Sequence, residues 1–367
     1  MKANRCINSR GGHSLSNDRI IGLDLMRITL AILIYMFHSW MHFDCDYSFL
    51  TNFVSAGAVA MTGFFMLSGY SLRLVYGDRD IMDKNSLRTF YIKRALSILP
   101  LYYAIAVMYI LLIKSINMAD ILILLPVEVL GLQSTFSSLF TVSHNSGTWF
   151  ISCLILAYVF YPYLQKITQQ LNTTTKVITL CILIFMDLWS SVISNRFNIC
   201  STYDNPFYRM IEFTIGLLLA DMSINHDNTL LRLLRSRITL IISIVFFITG
   251  ISLIKKHLFL QDYMIYNYVA LPCFIIMLLS LGTLRSSNKI WNNIVSYFAK
   301  ISYAFFLVQF FAWKVGKWTL IFLETDTNWL RILITFIYCF VAAVVMYELV
   351  QKPISKYVKQ NLLSYNK

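Results

Sequence analysis

Charge is scarce in this chain. Only 13% of its 367 residues are Asp, Glu, Lys or Arg, against 57% hydrophobic residues, and the mean hydropathy is +0.63. Ordinary soluble domains carry about 25% charged residues, so the shortage excludes that class and marks an integral membrane protein. Paired cysteines are missing too. The seven stand at 6, 45, 153, 181, 200, 273 and 339, several of them inside apolar runs, and read as small core hydrophobes. No cluster of His, Cys, Asp and Glu has ligand spacing, so no metal is expected. Cys45 and Cys200 face the same, oxidising side in the topology derived below, which leaves a disulfide between them open.

Gly and Pro are sparse at 13 and 6 residues, with no linker, low-complexity tract or internal repeat, so one domain is expected. Residues 1–19 are polar and precede an apolar stretch long enough to stay in the membrane, so no cleavable signal peptide is expected. Acidic residues are the scarcer charge: 18 against 31 Lys and Arg, a net charge of +13. Most of the cations lie in short connections between apolar runs, as in residues that orient a membrane bundle, and no nucleic-acid partner is expected.

Apolar runs long enough to span lie near 20–40, 53–75, 95–113, 148–165, 177–195, 207–221, 238–254, 263–283, 297–316 and 329–350. An eleventh, Ile121 to Phe136, contains Pro126 and Glu128 and is short, which predicts a re-entrant or interfacial helix. If it does not cross, 21 Lys and Arg collect on one side, Arg73 and Lys176 among them, against six on the other. The sequence thus predicts an all-α polytopic bundle of about ten transmembrane helices plus one short helix, both termini cytoplasmic. The domains are a tail over 1–19, a membrane domain over 20–351 and a basic tail over 352–367. Membrane lipid is then a partner, and nothing fixes the subunit number, so a homo-oligomer stays open.

Two polar residues stand out within the first span, Arg27 and His38. Eleven helical steps of about 100° bring them within roughly 20° on one face, about 16 Å apart along the axis. Ionisable groups at membrane depth are costly and by default mark a substrate, ion or proton path. Asp24, three residues before Arg27, lies on the same face, so an ion pair that positions the guanidinium competes with ligand contact as its role.

Motifs along nearly the whole chain resemble acyltransferase family 3, the integral-membrane O-acyltransferases. They are Gly22-Leu23-Asp24-Leu25-Met26-Arg27 leading to Phe37-His38, Phe64-Phe65-Met66-Leu67-Ser68-Gly69-Tyr70, and Tyr91-Ile92-Lys93-Arg94 leading to Leu99-Pro100-Leu101-Tyr102. Trp149-Phe150-Ile151 with Tyr158 and Tyr161-Pro162 follows, then Arg209-Met210-Ile211-Glu212-Phe213 with Gly216, Ile301-Ser302-Tyr303, and Glu348 with Lys352-Pro353. The resemblance implies transfer of an acyl group, commonly acetyl, from cytoplasmic acyl-CoA (acetyl-CoA as co-substrate, with no permanently bound cofactor) to a hydroxyl of a cell-surface glycan or lipid-linked saccharide. It maps the family's central pair onto Arg27 and His38.

Acyl transfer to an alcohol needs a base, and imidazole is matched to neutral pH. His38 takes that role, directly or through a transient acyl-imidazole; its competing reading is a packing histidine. Arg27, Arg94, Lys93 and Arg209 are candidate donor-binding cations, Asp24 and Glu212 their positioning carboxylates, and Trp149, Tyr158 and Gln309 candidates for the acceptor path. Arg209 and Glu212, three apart, also read as a self-neutralising pair, and the Arg73–Arg94 loop as topological anchoring. Ser68-Gly69 reads as close helix packing.

Three positions depart from the family pattern. Ser97 replaces an arginine, Leu154 replaces a glutamate, and Gln309 replaces a histidine, so Gln309 exchanges hydrogen bonds but no proton and the burden on His38 grows. A flippase or transporter of lipid-linked saccharide would use the same Arg, His and Asp as gates, although paired Gly/Pro-broken helices in two matching halves are missing. A scaffold would leave the polar face of the first helix unexplained.

Overall fold

The computed structural model describes residues 19–112, 126–133, 146–198, 201–225, 229–254 and 263–362, and every regular element among them is helical. Residues 1–18, Cys200 and half of the 121–136 run lie outside the described residues. The helices are α1 (Ile21–Phe43), α2 (Thr51–Ser55), α3 (Ala60–Tyr76), α4 (Lys84–Leu112), α5 (Trp149–Gln170), α6 (Thr173–Leu188), α7 (Ser190–Arg196) and α8 (Pro206–Asn225). They continue as α9 (Thr229–Leu234), α10 (Arg237–Leu253), α11 (Asn267–Leu281), α12 (Lys289–Leu307), α13 (Gln309–Phe322), α14 (Asn328–Met346), a π-helical turn (Tyr347–Gln351) and α15 (Lys352–Leu362).

Their starts follow local chemistry. Asp83 accepts from the Asn85 and Ser86 backbone N–H groups ahead of α4, and Asn172, Ser236 and Asn288 cap α6, α10 and α12 through the N–H three residues on. Pro206, in the first turn of α8, sits where its missing N–H costs nothing. α1 ends at Asp44 and α3 at Gly77, both with left-handed φ near 50°.

Among the described residues, six helices are long and apolar enough to cross a membrane, or eight if two bent pairs each count as one span. The bent pairs are α6–α7, turning by 62°, and α12–α13, turning by 72°. The expected count of about ten is not reached by this measure, and two runs account for the gap. The run at 238–254 is α10, only 17 residues long, and the run at 207–221 is α8, whose Arg209, Glu212 and Asp221 dilute its hydropathy. The segment read as a basic tail over 352–367 forms α15 in its described part, which continues α14 through the π turn. Of the short eleventh run, 126–129 forms a helical turn whose Glu128 and Val129 carbonyls accept from Tyr102 (2.7 Å) and Tyr103 (2.6 Å) of α4.

Contact between α3 and α8 is set by two glycines. A Cβ on Gly69 would lie 1.9 Å from the Phe213 carbonyl oxygen, and one on Gly216 would lie 1.9 Å from that of Met66. Backbone therefore meets backbone in both directions, the small-residue contact of membrane helices. The same pair is tied by charge. Arg73 of α3 reaches Asp221 of α8 at 2.5 Å, and Lys176 of α6 takes the other oxygen of Asp221 at 2.6 Å. Arg73 and Lys176 were expected in solvated loop positions, but their side chains are only 1% and 8% exposed, because Asp221 lies level with them and neutralises them inside the bundle.

Pro100 lies inside α4 and cannot bond the Leu96 carbonyl. Gln351 of the π turn supplies the missing donor, its Nε2 at 2.6 Å from that oxygen, and the Tyr303 hydroxyl of α12 donates to the carbonyl of Ile98, two residues on, at 3.1 Å. Gly216→Ala forces two backbones apart and is expected to lower stability by about 3 kcal/mol or more, the upper end of overpacking costs, measured as the loss of melting temperature in detergent.

Candidate active site

Arg27 is placed by α1, and its Nη1 stands 3.6 Å from Asp24. Asp24 is shared, since the Arg19 Nε also donates to it. The Arg27 side chain keeps 35% of its surface accessible and lines a cavity of about 300 Å³ between α1, α3, α4, α5 and α12. Arg94 enters the same cavity from α4, its guanidinium 5.7 Å from the ring centroid of Tyr158 on α5. The Nε of Arg94 is buried and finds no partner in the protein. Hydroxyls of Ser68, Ser97, Ser302 and Tyr303 join the wall, and apolar side chains such as Phe64, Leu154 and Phe306 complete it. Among the described residues lining it, none is acidic. Two guanidiniums in a low-dielectric hollow without a facing carboxylate make a site for an anion with an apolar portion.

His38 lies further along α1, outside that cavity's lining. Its Nδ1 is 2.8 Å from Oε1 of Gln309, the first residue of α13. Nδ1–H donates there, which leaves Nε2 with its lone pair free for chemistry. The sharp turn between α12 and α13 builds the surroundings. It brings Phe306, Phe310 and Trp313 to within 5.7, 6.3 and 6.2 Å of the imidazole centroid, and His42, one turn on in α1, stands at 5.9 Å. Phe306 belongs to the Arg27 cavity. His42 opens onto a second, polar cavity of about 450 Å³ lined by Lys317, Glu324, Asp326 and Arg331. His38 thus stands between Phe306 of the first hollow and His42 of the second, and lines neither itself.

Arg209 lies elsewhere. Its Nη1 sits 2.8 Å from both oxygens of Glu212, its Nε donates to the Tyr203 carbonyl at 2.7 Å, and it is 1% exposed. The rings of Tyr203, Trp149 and Phe65 cover the guanidinium at 4.9, 5.4 and 5.7 Å. Arg209 and Trp149 are therefore not in the lining of the Arg27 cavity; Phe65 separates them from it. Lys93 is exposed and does not line it either. Thr62 donates to Glu212 at 2.7 Å, and Asn267 bridges from Asp187 (2.9 Å) towards Glu212 (3.4 Å). Sequence reasoning missed Asp187, Thr62 and Asn267. The one available signal was an acid alone in the apolar run Ile182 to Leu188.

The family profile described as an acyltransferase domain matches residues 20–348, nearly the whole chain. The chain belongs to acyltransferase family 3. It is accordingly a membrane acyltransferase, and the match spans every element that builds the two cavities. No individual curated protein and no solved structure gives a significant match.

The two arginine environments predict opposite responses to truncation. Arg209→Ala strands the buried Glu212 carboxylate and is expected to destabilise by about 3–5 kcal/mol. Arg27→Ala leaves Asp24 with Arg19 and is expected to cost less than about 1 kcal/mol. Paired thermal melts of the two purified variants measure the difference.

Proposed function

We propose that the protein is an O-acyltransferase, in the first instance an O-acetyltransferase, which takes the acyl group of acyl-CoA and delivers it to a hydroxyl of a cell-surface glycan or its lipid-linked precursor. It works in the inner membrane with both termini in the cytoplasm, so that the Arg27 cavity faces the donor. The observation that carries this reading is the pairing of Arg27 and Arg94 in one cavity whose far wall, Phe306, touches His38.

Length supports it. Arg27 and His38 are about 16 Å apart along α1. A pantetheine arm, twelve bonds from the phosphate oxygen to sulfur, extends to roughly 15 Å at ordinary chain geometry. With the diphosphate on Arg27 and Arg94, the thioester reaches the level of His38. The apolar wall suits the arm, and the hydroxyls of Ser68, Ser302 and Tyr303 suit its amides.

The acceptor hydroxyl approaches from the second cavity, past His42. Nε2 of His38 takes its proton as oxygen attacks the thioester carbon, and the imidazolium returns that proton to the departing thiolate, giving ester and free CoA. Gln309 holds the ring in the tautomer this requires. A transporter of lipid-linked saccharide consumes no thioester, and nothing in the Arg27 cavity calls for one.

His38→Ala is expected to abolish thiol release from acetyl-CoA in inverted membrane vesicles of the source cell while leaving CoA binding intact. Unchanged turnover would remove the proposal. Arg27→Ala and Arg94→Ala are expected to raise KM for acetyl-CoA by about 10–100-fold each, the worth of a charge-assisted hydrogen bond, with a smaller change in kcat. Mass spectrometry of surface glycans from cells with and without the gene tests the acceptor class through a lost acetyl mass.

A further inference from the structure

The wall around His38 contains two hydrogen-bond donors that bond nothing in the protein. One is the side-chain amide Nε2 of Gln309, whose residue is fully buried; the other is the indole Nε1 of Trp313, whose residue is 3% exposed. Buried donors are nearly always satisfied, because each one left without a partner costs about 1–3 kcal/mol. Here two are left open beside one imidazole. They are four residues apart on α13, hence on one helix face a single turn apart. Gln309 touches His38 through its other amide atom at 2.8 Å, and the Trp313 ring stands edge-on to the imidazole at 6.2 Å. The 72° turn after α12 directs this face of α13 at the histidine.

We infer that Gln309 and Trp313 form the oxyanion hole of the acyl transfer. The inference rests on the reading of His38 as the base. When the acceptor oxygen bonds to the thioester carbon, the carbonyl π pair moves onto oxygen and gives an alkoxide-like anion. The two N–H groups receive that charge, His38 holds the acceptor's proton, and collapse restores the carbonyl, breaks the C–S bond and sends the proton to the thiolate. Donors already in place and shielded from water stabilise developing charge without reorganisation. The anionic intermediate is the partner both groups lack in the resting protein. Gln309 then serves twice: its oxygen orients the imidazole and its nitrogen binds the oxyanion.

Two substitutions separate these functions. Trp313→Phe deletes one N–H and keeps a ring in the aromatic wall. Gln309→Glu keeps an oxygen for His38 Nδ1–H and deletes the amide N–H₂. Each is expected to lower kcat for acetyl-CoA turnover in inverted membrane vesicles by about 10²–10³-fold, the usual loss for one oxyanion donor, with KM for acetyl-CoA unchanged within about threefold. Melting temperatures of the purified variants guard against a folding defect, and if one variant fails to fold the other carries the test. Turnover within about threefold of the parent in a folded variant, or a loss confined to KM, overturns the oxyanion assignment. If His38→Ala is inactive in that same experiment, the acyl-transfer reading survives that failure; if His38→Ala retains full turnover, the base assignment itself fails.

Discussion

Inside hydrocarbon a polar group has no water to fall back on, so each charge in this bundle must meet its counterpart within the protein or have a reason not to. Asp221 meets that demand twice, holding Arg73 and Lys176 and so tying α3, α6 and α8 together where Gly69 and Gly216 already force backbone against backbone. Arg209 and Glu212 meet it again, under a cover of three aromatic rings. Other buried atoms, the Tyr161 and Ser190 hydroxyls among them, also lack a partner, but four exceptions fall together at the site. Arg94 keeps a buried Nε without a partner, Arg27 has only a loose contact with a carboxylate that Arg19 also claims, and Gln309 and Trp313 hold donors that bond nothing. All four lie on the path from the Arg27 cavity past His38.

That path depends on two departures from regular helix. Pro100 costs α4 a hydrogen bond next to the cavity, and the repair comes from Gln351 in a π-helical turn, itself a departure that turns a side chain out of the ordinary register. With Tyr303 holding the Ile98 carbonyl, the stretch of α4 that follows Arg94 is fastened to α12 and to the end of α14. The second departure is the turn at Val308. A straight continuation of α12 would carry Gln309 and Trp313 along the helix axis; the bend lays them across His38 instead.

What the sequence reveals about this site is what depends on local periodicity. Arg27 and His38 share a face because eleven residues close three helical turns, and Asp24 falls beside Arg27 for the same reason. The pairing of Arg209 with Glu212 is equally local. Across the fold, hydropathy finds helices at all ten runs but fails as a measure of spanning where Arg209, Glu212 and Asp221 sit in α8 and where α10 is short. The rest is tertiary. The pairing of His38 with Gln309 spans 271 positions of sequence, and Arg73 reads as a loop cation until Asp221 is seen level with it. Trp149 looks like a saccharide platform by residue type, yet its ring is occupied by Arg209. Side-chain chemistry alone cannot distinguish a stacking surface that is free from one already taken.

The position of His38 between two hollows bears on selectivity as well as on rate. A thioester beside an imidazole in open contact with water would be hydrolysed, and each hydrolysis would waste donor. Here Phe306 on the Arg27 side and Phe310 and Trp313 on the His42 side pack around a half-buried imidazole and narrow the access of water to it. An acceptor with its own binding surface can move past Phe310 at the expense of binding energy, whereas water has none to spend. The polar second cavity, with Lys317, Glu324, Asp326 and Arg331 around it, offers such a surface to a polyhydroxylated molecule. In the proposed transfer to a hydroxyl, the aromatic packing around His38 would favour a bound acceptor over water, although water is far more concentrated.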